Sequence, residues 1–133
     1  MIRSSETFAE AMAYHNEHVE PSFTNELYEL MEHKQLAPKR VIALTGLDRS
    51  YFYHILSGKK HPGRSVVLRI CFALQLDLSE TNRLLKLSGH NELYPKIRHD
   101  AVLIFAIEKN MDADEANELL TKSGEEPLYA AGV

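Results

Sequence analysis

The stretch TGLDRSYFYHILSGKKHPG, residues 45–63, has the pattern of one short helix between two turns. Gly46 suits the left-handed end of a preceding helix, and Asp48 suits the N-cap of the next one, since its carboxylate can accept unbonded main-chain N–H groups. Three apolar residues then recur at helical spacing, namely Phe52, Ile55 and Leu56. We therefore predict a capped helix that begins after Asp48, buries this apolar face and ends at Gly58.

The neighbouring segments are also predicted to be helical, because no stretch shows sustained apolar–polar alternation with β-branched residues. Pro38 suits the first turn of the preceding helix, where its missing N–H would go unbonded anyway. The apolar segment SVVLRICFALQL, residues 65–76, follows the quoted stretch, and Asp77 or Ser79 can cap the helix after it. The chain is thus predicted to be all-α.

An internal repeat marks the C-terminal half, where LDLSETNRLLKLSGHNELY, residues 76–94, matches MDADEANELLTKSGEEPLY, residues 111–129. Each copy has the pattern of a cap, a helix and a glycine, so each is expected to belong to a helical hairpin. Two copies are too few for a regular solenoid and indicate a duplicated packing element. The apolar run AVLIFAI, residues 101–107, either covers the core of residues 66–89 or meets a second subunit, and the repeat favours the cover.

These patterns divide the chain into three predicted parts. They are an acidic N-terminal helix over residues 1–21, a helical domain over residues 22–89 and a C-terminal helical hairpin with a short tail over residues 90–133. The N-terminal part has an apolar stripe of Phe8, Met12 and Val19. Either this helix or the C-terminal hairpin can meet a second subunit or another protein.

The composition, with 44% hydrophobic and 26% charged residues in a chain of 133, is that of a globular protein. No apolar run is long enough to span a bilayer, and the N-terminus lacks a signal-peptide pattern, so a cytoplasmic location without a membrane partner is expected. Cys71 is the only cysteine and lies in an apolar helical segment, which indicates a buried, inert thiol.

Charge is unevenly distributed along a chain whose formal net charge is −4. Residues 34–64 hold seven Lys or Arg and one acid, a net charge of +6. Residues 1–33 hold one Arg and seven acids, and residues 65–133 hold seven basic and eleven acidic residues. A local basic field attracts polyanions even when the whole chain is acidic, although the same cluster can also be a solvated face.

An enzymatic reading finds little support in the sequence. His15 and His18 lie at i, i+3 beside Glu17, but in an acidic, polar helix and without a further Cys/His set at ligand spacing. No nucleophile motif, phosphate-binding glycine loop or paired-carboxylate arrangement stands out. We therefore expect no catalysis, no metal site and no cofactor.

Residues 38–58 have the helix-turn-helix layout of a short helix, a glycine-containing turn and a capped second helix. The sequence TGLDRSYFYHILSGKKHP, preceded by VIA and followed by VVLRICFALQLDLSE, resembles the phage-repressor-like (Xre-type) helix-turn-helix domain. The resemblance covers about residues 22–89. It implies a five-helix DNA-binding domain, here with an added N-terminal helix and a C-terminal hairpin, and base-reading positions at 49, 50 and 54.

Helical geometry assigns roles to the remaining face of the capped helix. With the apolar face inward, Ser50 and His54 point most directly outward, and Arg49 projects from the N-terminal end, which is the end that reaches base edges in this motif. The residues predicted to read bases are Arg49, Ser50, Tyr53 and His54. The residues predicted to contact the sugar-phosphate backbone are Lys39, Arg40, Tyr51, Ser57, Lys59, Lys60, His61 and Arg64.

The sequence thus predicts a sequence-specific regulator of transcription that binds double-stranded DNA through the major groove, with repression as the expected mode. One such domain makes too few base contacts to be selective in a genome, so a homodimer on a pseudo-palindromic operator is expected. The alternative is a protein–protein adaptor on the same scaffold, which would use the acidic flanks together with Tyr51 and Tyr53.

Overall fold

The computed structural model describes residues 22–130, which form seven α-helices and contain no strand. The helices are α1 (Phe23–His33), α2 (Pro38–Thr45), α3 (Arg49–Leu56), α4 (Arg64–Ala73), α5 (Leu78–Leu87), α6 (Arg98–Glu108) and α7 (Ala113–Lys122). The predicted all-α class is confirmed. The predicted N-terminal helix, with its apolar stripe and its two histidines, lies outside the described residues.

Helices α1 to α5 surround one apolar core. Helix α1 packs on α3 and α5, α2 packs on α3 and α4, and α4 packs on α5. The predicted inner face of α3 is buried, since Phe52 and Ile55 are fully buried and Leu56 is 4% exposed. Burial of side chains of this size stabilises the fold by about 1.5–3 kcal/mol each. The apolar face of α3 therefore fixes which side of this helix remains at the surface.

Helices α6 and α7 form a hairpin that lies against α4 and α5. Helix α6 contacts α5, and α7 contacts α4. Leu103, Ala106 and Leu120 are fully buried and join the same apolar core as α4 and α5, whereas Phe105 is 48% exposed. Most of the apolar run at 101–107 therefore has an intramolecular partner. Within residues 22–130, no helix is long and apolar enough to cross a membrane.

Three helix ends share one turn that lacks glycine. After α1, α4 and α6 the chain enters the left-handed region at Gln35, Gln75 and Asn110, with φ between 53° and 57°. The next N–H then donates to the carbonyl five residues back, as in the bond of 2.8 Å from Leu36 N to Met31 O. This is the Schellman arrangement, in which glycine is the usual left-handed residue. In each of the hairpins α1–α2, α4–α5 and α6–α7, the first helix therefore ends in the same turn.

The predicted repeat is also visible in its side-chain bonds. Asp77 and Glu80 form a reciprocal capping box at the start of α5, and Asp112 and Glu115 form the same box at the start of α7. Further along, Asn82 Oδ1 accepts from Leu93 N at 2.9 Å, and Asn117 Oδ1 accepts from Leu128 N at 2.6 Å. The repeated sequence therefore encodes the same cap and the same anchoring of the segment that follows each helix.

Candidate nucleic-acid interface

The turn between α2 and α3 is fixed at each of its residues. The Thr45 hydroxyl donates to the Val41 carbonyl at 2.8 Å and accepts from Leu47 N at 3.3 Å. Gly46 has φ of 71°, which lies in the left-handed region that glycine tolerates best. Leu47 is 9% exposed and anchors the turn to the core. This ordered turn places the start of α3 relative to α2.

Helix α3 begins at the predicted cap. Asp48 is its N-cap, and the Asp48 carboxylate accepts from Tyr51 N at 3.0 Å. The carboxylate provides an acceptor for one of the first-turn N–H groups that have no partner within the helix, and its negative charge lies at the positive end of the helix dipole. The helix ends before Gly58, which has φ of 84°. The predicted start of this helix is confirmed, and its last residue is Leu56, one position before the predicted end of 49–57.

The residues predicted to read bases lie on the outer side of α3. Arg49, Ser50 and Tyr53 are exposed, and His54 is half-buried. The guanidinium carbon of Arg49 lies 5.7 Å from the centre of the Tyr53 ring, so these two side chains form one surface. His54 is therefore less exposed than helical geometry predicts, whereas Tyr53, at 40% exposed, is more exposed than predicted.

Exposed basic side chains lie on either side of this helix in the chain. Lys39 and Arg40 are exposed in the first turn of α2, and Lys59, Lys60 and His61 are exposed in the loop after α3. The loop is held at both ends. Lys60 N donates to the His54 carbonyl at 3.1 Å, and His90 Nε2 lies 2.9 Å from the carbonyl of buried Pro62, to which it can only donate.

Two further residues with predicted backbone roles have hydroxyl groups. Tyr51 is half-buried and packs against the core, while Ser57 is exposed. The Ser57 hydroxyl donates to the His54 carbonyl at 3.1 Å, which still leaves its oxygen able to accept. Their predicted contacts with the sugar-phosphate backbone stay predictions.

Arg64 differs from the other predicted backbone contacts because it is already bonded within the protein. Its Nη1 and Nη2 donate to the two carboxylate oxygens of Asp100, each at 3.2 Å, and its Nε and Nη2 donate to the Asn91 carbonyl at 3.3 Å. Of the predicted basic contacts, Arg64 is the one that forms an ion pair within residues 22–130. These four bonds leave one of five guanidinium N–H groups for a phosphate.

Residues 22–84 match a protein-family model described as a helix-turn-helix domain, which confirms the resemblance and is consistent with an Xre-type regulator. The chain therefore contains a helix-turn-helix domain, the class of fold that DNA-binding regulators use. The match covers just under half of the chain and includes α1 to α4 and most of α5. Comparisons with curated proteins and with solved structures gave no match.

Sequence reasoning missed the contacts that Arg69 makes with this turn. Arg69 lies on α4, and its Nη2 donates to the main-chain carbonyl of Thr45, the last residue of α2. The two residues are 24 positions apart, and arginine within an apolar helix gives no local signal of its partner. Only the packing of α4 on α2 reveals that this side chain reaches the helix-turn-helix.

Proposed function

We propose that this protein is a sequence-specific, double-stranded-DNA-binding regulator of transcription that acts as a repressor. One observation carries the proposal: the capped helix α3 buries one face and exposes Arg49, Ser50 and Tyr53 on the other, within a segment rich in exposed cations. A helix presented in this way can enter the major groove, where each base pair displays a distinct pattern of donors and acceptors.

Each base-reading role follows from side-chain chemistry. Arg49 can donate two hydrogen bonds to guanine O6 and N7, which is worth about 1–3 kcal/mol of discrimination. Ser50 can donate or accept, His54 can donate, and Tyr53 can pack on a thymine methyl group. The exposed cations then contact phosphates and fix the docking angle of α3.

The proposal includes a homodimer on a pseudo-palindromic site. A single α3 reads only a few base pairs, and each mismatch costs about 1–3 kcal/mol, so two copies are needed for useful selectivity. We also propose the division into a DNA-binding domain over residues 22–89 and a C-terminal hairpin from residue 90 onward. The hairpin supports the domain from the side of α4 and α5.

The test begins with selection of random duplexes by the full chain. Affinity for the selected duplex is then measured against salt for the wild type and for Arg49→Ala, Lys59→Ala and the control Lys96→Ala. Lys96 is exposed and lies outside the predicted interface.

Arg49→Ala is expected to lose about 1–3 kcal/mol of discrimination at one base pair. Lys59→Ala is expected to weaken binding to all duplexes by the same factor and to reduce the slope of log affinity against log salt by about 0.9. Lys96→Ala should change neither quantity. Unchanged base preference in Arg49→Ala would contradict the assignment of α3 as the reading helix.

The alternative function, a protein–protein adaptor, draws on the aromatic surface at Tyr53, which is 40% exposed beside Arg49. Aromatic and arginine side chains are common at protein interfaces. Failure of the selection to enrich any duplex, with recovery of a protein partner that Tyr53→Ala no longer binds, would establish this alternative.

A further inference from the structure

Arg69 connects the helix-turn-helix to a part of the chain outside the matched domain. Its Nη2 donates to the Thr45 carbonyl at the C-terminal end of α2, a helix with no basic residue in its own last turn. A cation at this end stabilises the helix dipole and satisfies a carbonyl that has no partner within the helix. A Cβ atom on Gly46 would lie 3.4 Å from the same Nη2, so Arg69 packs directly against the turn.

The Tyr129 ring stacks on this guanidinium. The Arg69 guanidinium carbon lies 4.3 Å from the centre of the Tyr129 ring, a closer stacking than that of Arg49 on Tyr53. Within residues 22–130, Arg69 Nε has no hydrogen-bond partner despite its burial. An unsatisfied buried donor is costly, so the stacking and the Thr45 bond must outweigh this cost for the side chain to remain here.

Tyr129 is itself held by the last helix. Its hydroxyl donates to Asp114 Oδ1, and its main-chain carbonyl accepts from Asn117 Nδ2 at 3.0 Å. Burial and the neighbouring Asp114 raise the pKa of Tyr129 to about 12, so the hydroxyl keeps its proton and remains a donor at neutral pH. A continuous series of contacts therefore runs from α7 through Tyr129 and Arg69 to Thr45.

The repeat provides an internal comparison for this contact. Tyr94 occupies the position in the first copy that Tyr129 occupies in the second, yet Tyr94 is 51% exposed. Both tyrosines follow a buried leucine that an asparagine anchors, Leu93 in one copy and Leu128 in the other. The packing of Tyr129 on Arg69 thus distinguishes the two copies and is not a necessary consequence of the repeated sequence.

We propose that Arg69 is a positioning residue for DNA recognition and that Tyr129 holds it against the helix-turn-helix turn. Only three residues separate the Thr45 carbonyl from Arg49, so a shift at this carbonyl moves the N-terminal end of α3. Phosphate contacts tolerate such a shift better than base contacts do, because base readout needs aligned donor–acceptor pairs. The C-terminal segment thereby acts on base selectivity without touching DNA. The inference rests on the proposed DNA-binding function.

The experiment compares Tyr129→Ala, Tyr129→Phe and Arg69→Met with the matched control Tyr94→Ala, each in the full chain. The affinity of each variant for the selected duplex and for a random duplex is measured at a temperature where circular dichroism shows it to be folded. The quantity compared is the ratio of the two affinities, because partial unfolding weakens binding to both duplexes by the same factor.

Tyr129→Ala and Arg69→Met are expected to lower this ratio about tenfold, near the low end of what one bidentate base contact provides. Tyr129→Phe keeps the stacking ring and should retain most of the ratio, and Tyr94→Ala should retain all of it. If Arg69→Met does not fold, the comparison of Tyr129→Ala with Tyr129→Phe still tests the positioning role. A wild-type ratio in Tyr129→Ala would overturn the positioning role and leave the proposed DNA-binding function standing. A wild-type protein that selects no duplex would overturn the proposed function itself.

Discussion

The ion pair between Arg64 and Asp100 offers the sharpest test of how the C-terminal hairpin is attached. Asp100 is 3% exposed, and its carboxylate accepts from both Nη atoms of Arg64 and from Tyr94 N, the last at 2.9 Å. The substitution Asp100→Ala removes all three acceptor contacts. It leaves Arg64 with the Asn91 carbonyl alone and leaves the Tyr94 N–H without this acceptor.

The expected loss of stability follows from burial. Removing one partner of a buried ion pair costs about 3–5 kcal/mol, because the remaining charge stays in a poorly solvated place. The Arg64 side chain is 30% exposed, so water recovers part of this cost. We therefore expect Asp100→Ala to lower the free energy of unfolding by about 3 kcal/mol. Asp100→Asn, which keeps the size and one acceptor oxygen, should lose less.

The assay is urea unfolding followed by circular dichroism, with linear extrapolation of the unfolding free energy to water. The matched control is Glu118→Ala, which breaks the exposed pair between Lys122 and Glu118. Exposed pairs at this helical spacing contribute only about 0.3–0.5 kcal/mol. A loss in Asp100→Ala no greater than that in Glu118→Ala would refute the argument from burial.

A substitution of Arg64 tests whether this residue also contacts DNA. Because four of its five donors are already used within the protein, we expect Arg64→Met to lower stability while leaving the salt slope of DNA binding unchanged. A slope reduced by about 0.9, as expected for Lys59→Ala, would instead assign a phosphate contact to Arg64.

Three further predictions concern local features. Asp48→Ala should lower the unfolding free energy by about 1 kcal/mol, and Asp48→Ser, which still caps, should lose less; equal losses would contradict the capping role. Gln35→Gly should raise the unfolding free energy by up to about 1 kcal/mol, since left-handed backbone is strained in glutamine. Gln75→Gly should raise it less, because the substitution also removes the two hydrogen bonds that the Gln75 amide donates to main-chain carbonyls. Burial raises the pKa of the Cys71 thiol from 9.0 to about 12, so stability should be unaffected by this group below pH 9 and fall above it by about 1.4 kcal/mol per pH unit. A Cys71→Ala protein whose stability falls as steeply as the wild type between pH 9 and 12 would disprove this.

Local signals in the sequence were enough to predict the helix-turn-helix. Pro38, Gly46, Asp48 and Gly58 mark helix ends through the backbone properties of single residues, and the spacing of the apolar residues indicates the inner face of α3. Each of these signals acts on residues only a few positions away, so its effect on the helix can be predicted from the local sequence. For this reason the sequence predicts the bounds of α2 and the start of α3, and the end of α3 to within one residue.

Contacts between distant residues could not be predicted in the same way. Arg64 meets Asp100 across 36 positions, and Arg69 meets Thr45 across 24. Each arginine has many acidic or carbonyl partners available in the sequence, and only the packing of the helices selects one. The left-handed turn at Gln75 was missed for a different reason, because glutamine gives no sign of a conformation that glycine usually adopts.

The way the hairpin covers α4 and α5 bears on how this protein can be dissected. The matched domain ends at residue 84, inside α5, between two fully buried leucines, Leu84 and Leu85. A fragment cut there would lose the last turn of that helix and uncover apolar surface that the whole chain keeps from water. Such a fragment would be expected to aggregate, and its failure to bind a duplex would say nothing about the native protein. A working fragment should extend to residue 130, so that Tyr129 is retained.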